Sequence, residues 1–128
     1  WRDRYKQWHT LSSLSWSHCP VPTGAAQPSE RFLHRAVAVS DRVYVYGGRG
    51  AAAIELCDLW MLRCDTASKS CTTTWERITS TSEHQPIARL SASLSPVSFG
   101  EPAHHGLLMF GGRCGETFLN DVWLFDTR

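Results

Sequence analysis

The sequence lacks the signals of a membrane-spanning, secreted or strongly charged protein. No apolar run reaches the ~18 residues that a bilayer-spanning helix needs, and residues 1–5 do not resemble a signal peptide. The formal net charge is only +1 over 128 residues, and acidic and basic side chains are interspersed. Bulk electrostatics therefore do not favour nucleic acid or a membrane surface, and we expect neither as a partner.

Motifs of catalysis and ligand binding are also missing. The chain has no Gly-x-Ser-x-Gly and no His-Glu-x-x-His sequence. Residues 47–50 are glycine-rich and follow an apolar run, but they lack the lysine and the helix of a phosphate-binding loop. The pairs His18-Cys19 and His104-His105 have no second ligand pair at zinc spacing. We therefore predict no catalytic residue, no cofactor, no metal site and a protein that is not an enzyme.

No segment sustains the 3.6-residue apolar period of an amphipathic helix, so we expect an all-β fold with at most a helical turn at 50–53. Short runs enriched in valine, tyrosine and isoleucine, separated by Gly or Asp, are typical of strands. The strands predicted in the second half are Leu90–Leu94, Gly106–Phe110 and Val122–Asp126, with a long loop over 95–105.

One unit of sequence occurs twice in this chain. In each copy an apolar run ends in Gly-Gly-Arg, a variable loop follows, and then come Asp, an apolar residue and Trp. The Gly pairs are 64 residues apart, and the Asp and Trp pairs are 63 apart. Such spacing indicates a repeat architecture. The positions are Gly47, Gly48, Asp58 and Trp60 in the first unit and Gly111, Gly112, Asp121 and Trp123 in the second.

The similarity extends beyond this core. A Pro-x-x-Arg sequence ends at Arg31 in the first unit and at Arg89 in the second, and a Trp-led run at Trp75 has a counterpart at Trp8. This ordered set, with His34 after the first Arg, resembles the kelch repeat of β-propellers over nearly the whole chain. One departure is Ala92, which stands where His34 stands in the first unit.

The resemblance implies a partial kelch-type β-propeller of about two four-stranded antiparallel blades. Propellers close with ~4–8 blades, so we expect further blades, supplied by the same chain or by another. The predicted organisation is an outer strand and inter-blade loop over 1–27, a complete blade over 28–80, and a blade without its outer strand over 81–128.

The motif residues have structural explanations. A Gly pair lets backbones approach closely and lets the chain turn out of a strand. An Arg ahead of the inner strand can satisfy loop carbonyls or a carboxylate, and the Asp before the third strand can accept from such an Arg. The Trp side chains supply packing area between blades, and we expect Trp60 and Trp123 to be largely buried at equivalent places.

The resemblance implies a non-enzymatic scaffold that presents inter-strand loops to a protein partner. The candidate binding segments are the loops that differ most between the units, 49–55 and 113–118, together with 81–85 between the blades. Arg49 and Arg113 could form a basic rim for an acidic peptide or remain unpaired solvent-exposed arginines. Two alternatives stay open: a structural subunit that contacts neighbouring subunits of a large assembly, and a propeller appended to an enzyme such as a phosphatase or a ubiquitin-ligase adaptor. The candidate partner-binding residues are Arg49, Glu55, Glu83, His84, Arg113 and Glu116.

The cysteines bear on the cellular compartment. Cys64 and Cys71 flank the loop between the third and fourth strands of the first blade, where a disulfide could form. The odd total of five cysteines favours free thiols and a cytoplasmic location. A Cys64–Cys71 bridge would instead indicate an extracellular or luminal one.

Overall fold

The structure, a computed structural model, describes residue 16, residues 18–65 and residues 72–128. The predicted Trp-led strand at Trp8 lies outside the described residues, as does Cys71, the cysteine that could bridge to Cys64. Within the described residues, no helix is long and apolar enough to cross a membrane.

The first sheet is a four-stranded antiparallel meander in which each strand pairs with the next along the chain. A 3-10 turn at Ala51–Ala53 lies in the loop between its second and third strands. The strands are β1 (Arg35–Val39), β2 (Arg42–Tyr46), β3 (Leu59–Asp65) and β4 (Thr72–Ile78).

The second sheet is a three-stranded antiparallel meander of longer strands. A β-bulge between Phe110 and Gly112 shifts the register of its last two strands. The architecture is therefore all-β, with two antiparallel sheets as in a partial kelch propeller. The sheets fall within the predicted blades 28–80 and 81–128, and those exact boundaries stay predictions. The strands are β5 (Ser93–Phe99), β6 (His104–Cys114) and β7 (Thr117–Asp126).

Two predictions about the second sheet are wrong. The inner strand is Ser93–Phe99 rather than Leu90–Leu94, and only the turn at 100–103 remains of the long loop predicted over 95–105. The extra residues of this unit lengthen the β5–β6 hairpin. In addition, Arg113 and Phe118 lie in strands on either side of a turn at 115–116, because the bulge lets the β6–β7 pairing continue past the Gly pair.

The two sheets pack face to face through the side of the first sheet that carries Tyr44, Tyr46 and Met61. These side chains contact Leu107 and Met109 of the second sheet, and all five are buried. At the edge of this core, the Arg35 guanidinium donates to the carbonyl of Ala92. The core is thus built from side chains of β2, β3 and β6 together with Val39 of β1, and the inner strands β1 and β5 contact each other.

Candidate functional site

One end of both sheets gathers the β2–β3 loop, the linker over 79–92 and the β6–β7 turn, because strands alternate in direction along each meander. Backbone bonds hold these segments together. The Gly48 N–H donates to the Arg89 carbonyl at 2.9 Å, and the Arg89 N–H donates to the Leu56 carbonyl at 3.2 Å. Leu90 and Arg113 exchange two backbone bonds of 2.9 Å. This loop end is therefore one continuous surface that spans both sheets.

The first Gly pair makes that close approach possible. Gly47 and Gly48 have φ angles of +63° and +93°, a region that other residues rarely adopt. A Cβ on Gly47 would lie 2.5 Å from the Arg89 carbonyl oxygen, and one on Gly48 would lie 2.9 Å from the His34 Cβ. The second pair, Gly111 and Gly112, has the same left-handed backbone, which supports the structural explanation for these glycines.

Arg89 anchors the linker to the second sheet. Its guanidinium donates to both carboxylate oxygens of Asp121, at 2.6 and 2.8 Å, and also to the carbonyls of Gly111 and Ile87, at 2.9 and 3.1 Å. The residue is only 1% exposed. The Trp123 indole N–H donates to the same carboxylate at 2.6 Å. One buried guanidinium therefore fixes the linker, the Gly pair and β7.

The first unit repeats this geometry. Arg31 donates to both oxygens of Asp58, at 2.7 and 2.9 Å, and to the Gly47 carbonyl at 3.2 Å. The Trp60 indole N–H donates to Asp58 at 2.6 Å. The expectation that each Arg contacts backbone carbonyls or an acidic residue is thus confirmed.

These bonds control the ionisation of the two carboxylates. Burial alone would raise the pKa of Asp58, but the hydrogen bonds from Arg31 and Trp60 outweigh it and hold that pKa below its usual value. The hydrogen bond from Arg89 is the main reason that the pKa of Asp121 lies far below its usual range. Both carboxylates remain charged and fully engaged at neutral pH.

The remaining motif residues are buried or half-buried in the two sheets and their loops. Trp60 is buried and Trp123 is half-buried at the equivalent position of the second sheet. Trp75 is half-buried opposite Leu62 in the β3–β4 ladder. His34 is half-buried, and its Nδ1 has no hydrogen-bond partner among the described residues.

Each of the two loop arginines lies near a glutamate of its own loop, so neither is unpaired, and the basic rim stays a prediction. Arg49 lies 3.6 Å from a carboxylate oxygen of Glu55, and Arg113 lies 3.5 Å from one of Glu116. Each Arg also donates to a carbonyl of its own loop, Ala53 or Gly115. The structure brings these four predicted residues to the loop end.

Glu83 and His84 lie on the exposed linker, and His84 also lines a cavity between the sheets. Across 18–65 and 72–128, no three His, Cys, Asp or Glu side chains form a group that could hold a metal ion.

Three exposed apolar side chains at the loop end were not among the predicted binding residues, although Ile54 and Phe118 lie within the predicted loops 49–55 and 113–118. Ile54 is 60% exposed, Ile87 is 54% exposed and Phe118 is 82% exposed. The signal that could have identified two of them is the repeat itself, because Ile54 and Phe118 are 64 residues apart, as the Gly pairs are. Each unit thus places an exposed apolar side chain five residues after its loop arginine.

Comparisons with known proteins add a family to this geometry. The family model described as the KLHDC2/KLHL20/DRC7 Kelch-repeats domain matches residues 3–128. The chain is also 30% identical over 126 residues to Adagio protein 3 of Arabidopsis thaliana. The aligned region covers 98% of this chain and 18% of that protein. The chain therefore spans less than a fifth of that relative's length.

Proposed function

The chain belongs to the KLHDC2/KLHL20/DRC7 Kelch-repeats domain family, whose domains are generally protein–protein interaction modules, and from that premise we propose that it is a non-enzymatic interaction scaffold. Its partner binds at the loop end. The observation that carries this proposal is the repeated pair of an exposed apolar side chain and a loop arginine, Ile54 with Arg49 and Phe118 with Arg113.

The apolar side chains supply the binding energy in this proposal. Large apolar side chains at the centre of an interface contribute most when a partner removes them from water. Ile87 belongs to the linker that is bonded to both loops through Arg89 and Leu90. A partner that covers Ile87 therefore reaches both Ile54 and Phe118 across one surface.

The charges favour a partner segment that is acidic as well as apolar. The Arg113–Glu116 contact is 3.5 Å long and lies at the surface, where such pairs contribute only ~0–1 kcal/mol. Glu116 is 97% exposed in its side chain. A partner carboxylate can replace Glu116 at little cost, so we propose an acidic segment that carries apolar anchors.

The chemistry of the motif supports a non-enzymatic role. Asp58 and Asp121 have depressed pKa values because each accepts from an arginine and a tryptophan. A carboxylate held in this state is a poor proton donor or acceptor near neutral pH. These residues therefore serve the fold.

The outer face of the second sheet supports further kelch blades as neighbours. Tyr44 and Tyr46 of the first sheet are buried against the second sheet, and the residues 64 positions later are Leu108 and Phe110. These two are 38% and 52% exposed. We propose that another kelch sheet covers them, as the second sheet covers their counterparts.

The test selects partners from a library of random peptides displayed on phage, with the 128-residue chain as bait. We expect selected peptides that combine aspartate or glutamate with large apolar residues. An Ile54→Ala, Phe118→Ala double variant should bind them at least about tenfold more weakly, because two anchors of ~1.5–3 kcal/mol each are removed.

Arg42→Ala is the matched control, since Arg42 also lies near a carboxylate, that of Asp41 at 3.8 Å, but at the opposite end of the first sheet. It should leave binding unchanged. Peptides that tolerate the double variant, or that are lost with Arg42→Ala, would contradict the proposed surface.

A cytoplasmic location also remains our proposal. It rests on the prediction that Cys64 and Cys71 are free thiols, and the state of these two residues tests it.

A further inference from the structure

Leu33 has an unusual backbone conformation for a large apolar residue. Its φ angle is +56°, in the left-handed region that bulky residues rarely adopt because the Cβ approaches a carbonyl oxygen. In the described part of the chain, the other non-glycine residues with positive φ are serines and alanines. Strained residues of this kind persist only where the surrounding structure holds them, and they cluster at binding sites.

Backbone hydrogen bonds hold the chain in place at Leu33. Its carbonyl accepts from the Ser91 N–H at 3.0 Å, and the preceding Phe32 exchanges two bonds with Arg49, of 2.8 and 3.0 Å. Ser91 has the same φ of +56°, and it stands 58 residues later, as the second motif arginine does after the first. The strain is thus common to both units, but only the first of the two places a large side chain there.

The Leu33 side chain remains in contact with water. It is 48% exposed, and its counterpart Ser91 is exposed although the N–H of Ser91 is bonded to the first unit. The exposure is therefore a property of this position rather than of the number of blades present. Phe32 differs, because its counterpart Leu90 is only 6% exposed, so a preceding blade would cover Phe32 but not Leu33.

Leu33 lies in the middle of the loop end. On one side the adjacent Phe32 is bonded to Arg49, and on the other side Leu90 is bonded to Arg113. The side chains that contribute most to binding cluster near the centre of an interface. A backbone that is already fixed also reduces the ordering cost of binding. Position, exposure and fixed backbone therefore all favour a binding role for this side chain.

We propose that Leu33 is a preorganised apolar anchor of the loop end, and that an aliphatic or aromatic side chain of the acidic partner segment packs on it. The inference rests on the proposed function and adds the residue that positions the apolar part of the partner. In this role Leu33 lowers the stability of the free chain and raises its affinity for the partner. A replacement that relieves the strain therefore separates the two effects.

Leu33→Asn is the test variant, because asparagine adopts a positive φ more readily than leucine and has no apolar side chain. The probes are the peptides selected on the 128-residue chain by phage display. The variant should bind them at least about fivefold more weakly, because the partner no longer removes a leucine side chain from water. Its unfolding temperature should be no lower than that of the wild type, since the relieved strain compensates for lost packing.

Two further variants serve as controls. Ser91→Asn makes the same replacement at the same φ in the second unit, and it should leave binding unchanged within about twofold. Leu33→Met keeps an apolar side chain and should also bind like the wild type.

A double-mutant cycle then identifies the contact. Each large apolar residue of the peptide is replaced by alanine in turn. At one peptide position, the effect of alanine should be at least about threefold smaller with Leu33→Asn than with the wild type, because the two changes remove the same contact.

The inference is overturned if Leu33→Asn binds like the wild type or if no peptide position couples to it. It is also overturned if Leu33→Asn unfolds more than about 3 °C below the wild type, which would mean that Leu33 serves the fold. The Ile54→Ala, Phe118→Ala variant separates these results from failure of the proposed function. Loss of binding in that variant alone contradicts only the role of Leu33. Normal binding in that variant, or a selection that returns no peptide, contradicts the loop-end surface as a whole.

Discussion

Asp121→Asn tests whether the buried guanidinium of Arg89 depends on its carboxylate. The substitution keeps the size of the side chain and one acceptor oxygen, and it removes the negative charge that lies 2.6 Å from the guanidinium. The Arg89 side chain is 0% exposed, so water cannot replace the lost charge. The first unit offers Asp58→Asn as an equivalent change, because the Arg31 side chain is only 4% exposed.

The expected cost follows from the burial of the cation. Removing one partner of a buried ion pair typically costs ~3–5 kcal/mol, because the other charge remains without compensation. Arg89 keeps the carbonyls of Gly111 and Ile87, so we expect the lower end, about 3 kcal/mol. In an Arg89→Met, Asp121→Asn double variant the stranded charge is gone. The double variant should therefore cost at least ~1.5 kcal/mol less than the sum of the single variants.

The assay is urea unfolding followed by tryptophan fluorescence, at one fixed chain concentration because association would shift the apparent stability. The free energy of unfolding is compared for the wild type, both single variants and the double variant. The reasoning is refuted if the costs of the two single variants add up to the cost of the double variant within ~0.5 kcal/mol. It is also refuted if the Asp121→Asn variant is as stable as the wild type. Either result would mean that Arg89 does not need the carboxylate.

Further predictions concern acid, backbone strain and thiols. Asp58 and Asp121 have depressed pKa values, so their contribution to stability is complete above the pKa of the unfolded chain, ~3.9, and is lost as the pH falls below it. The urea concentration at the unfolding midpoint should therefore decrease as the pH is lowered from about 4 to 2. The decrease should be smaller in the Asn variants. Gly112→Ala should destabilise the fold by ~1–3 kcal/mol, since φ is +101° and the new Cβ would lie 2.8 Å from a carbonyl oxygen. Gly24→Ala is the control and should cost less, because its φ is +80° but no atom lies within 4 Å of the new Cβ. Mass spectrometry of unreduced, alkylated protein should show both Cys64 and Cys71 modified, and an intact bridge between them would contradict a cytoplasmic location.

The repeated motif was predictable because few residue types can take the place of its glycines and arginines. Only glycine adopts a positive φ without strain beside a carbonyl, as Gly47 does against Arg89. Only arginine offers several donors in one planar group to a carboxylate and to carbonyls at once. The spacing of these residues therefore indicated the fold family. It left the pairing of each Arg with an Asp as one of several possibilities, and the structure identifies the pairs as Arg31–Asp58 and Arg89–Asp121.

The position of the first strand of the second sheet was not predictable in the same way. Residues 93–99 contain three serines and a proline, Pro96, a composition that resembles a loop. They form a strand because they lie at a sheet edge, where Pro96 needs no ladder donor, and because Leu94 packs beside Met109. The contact of Arg49 with Glu55 also depends on the 3-10 turn between them, which sequence spacing does not specify.

The exposed face of the second sheet leads to a last prediction, that the 128-residue chain associates with itself in solution. Leu108, Phe110, Val122 and Leu124 are 38–63% exposed, and Phe110 lies opposite Val122 in the ladder. Covering the exposed half of four such side chains is worth about 3–6 kcal/mol, a large share of the ~5–15 kcal/mol that stabilises a domain. Phe110→Lys should therefore shift the chain towards monomer in sedimentation velocity. Phe118→Lys changes a more exposed aromatic outside this face and should not. A wild-type chain that is monomeric at every concentration, or an equal effect of both variants, would show that this face does not drive association.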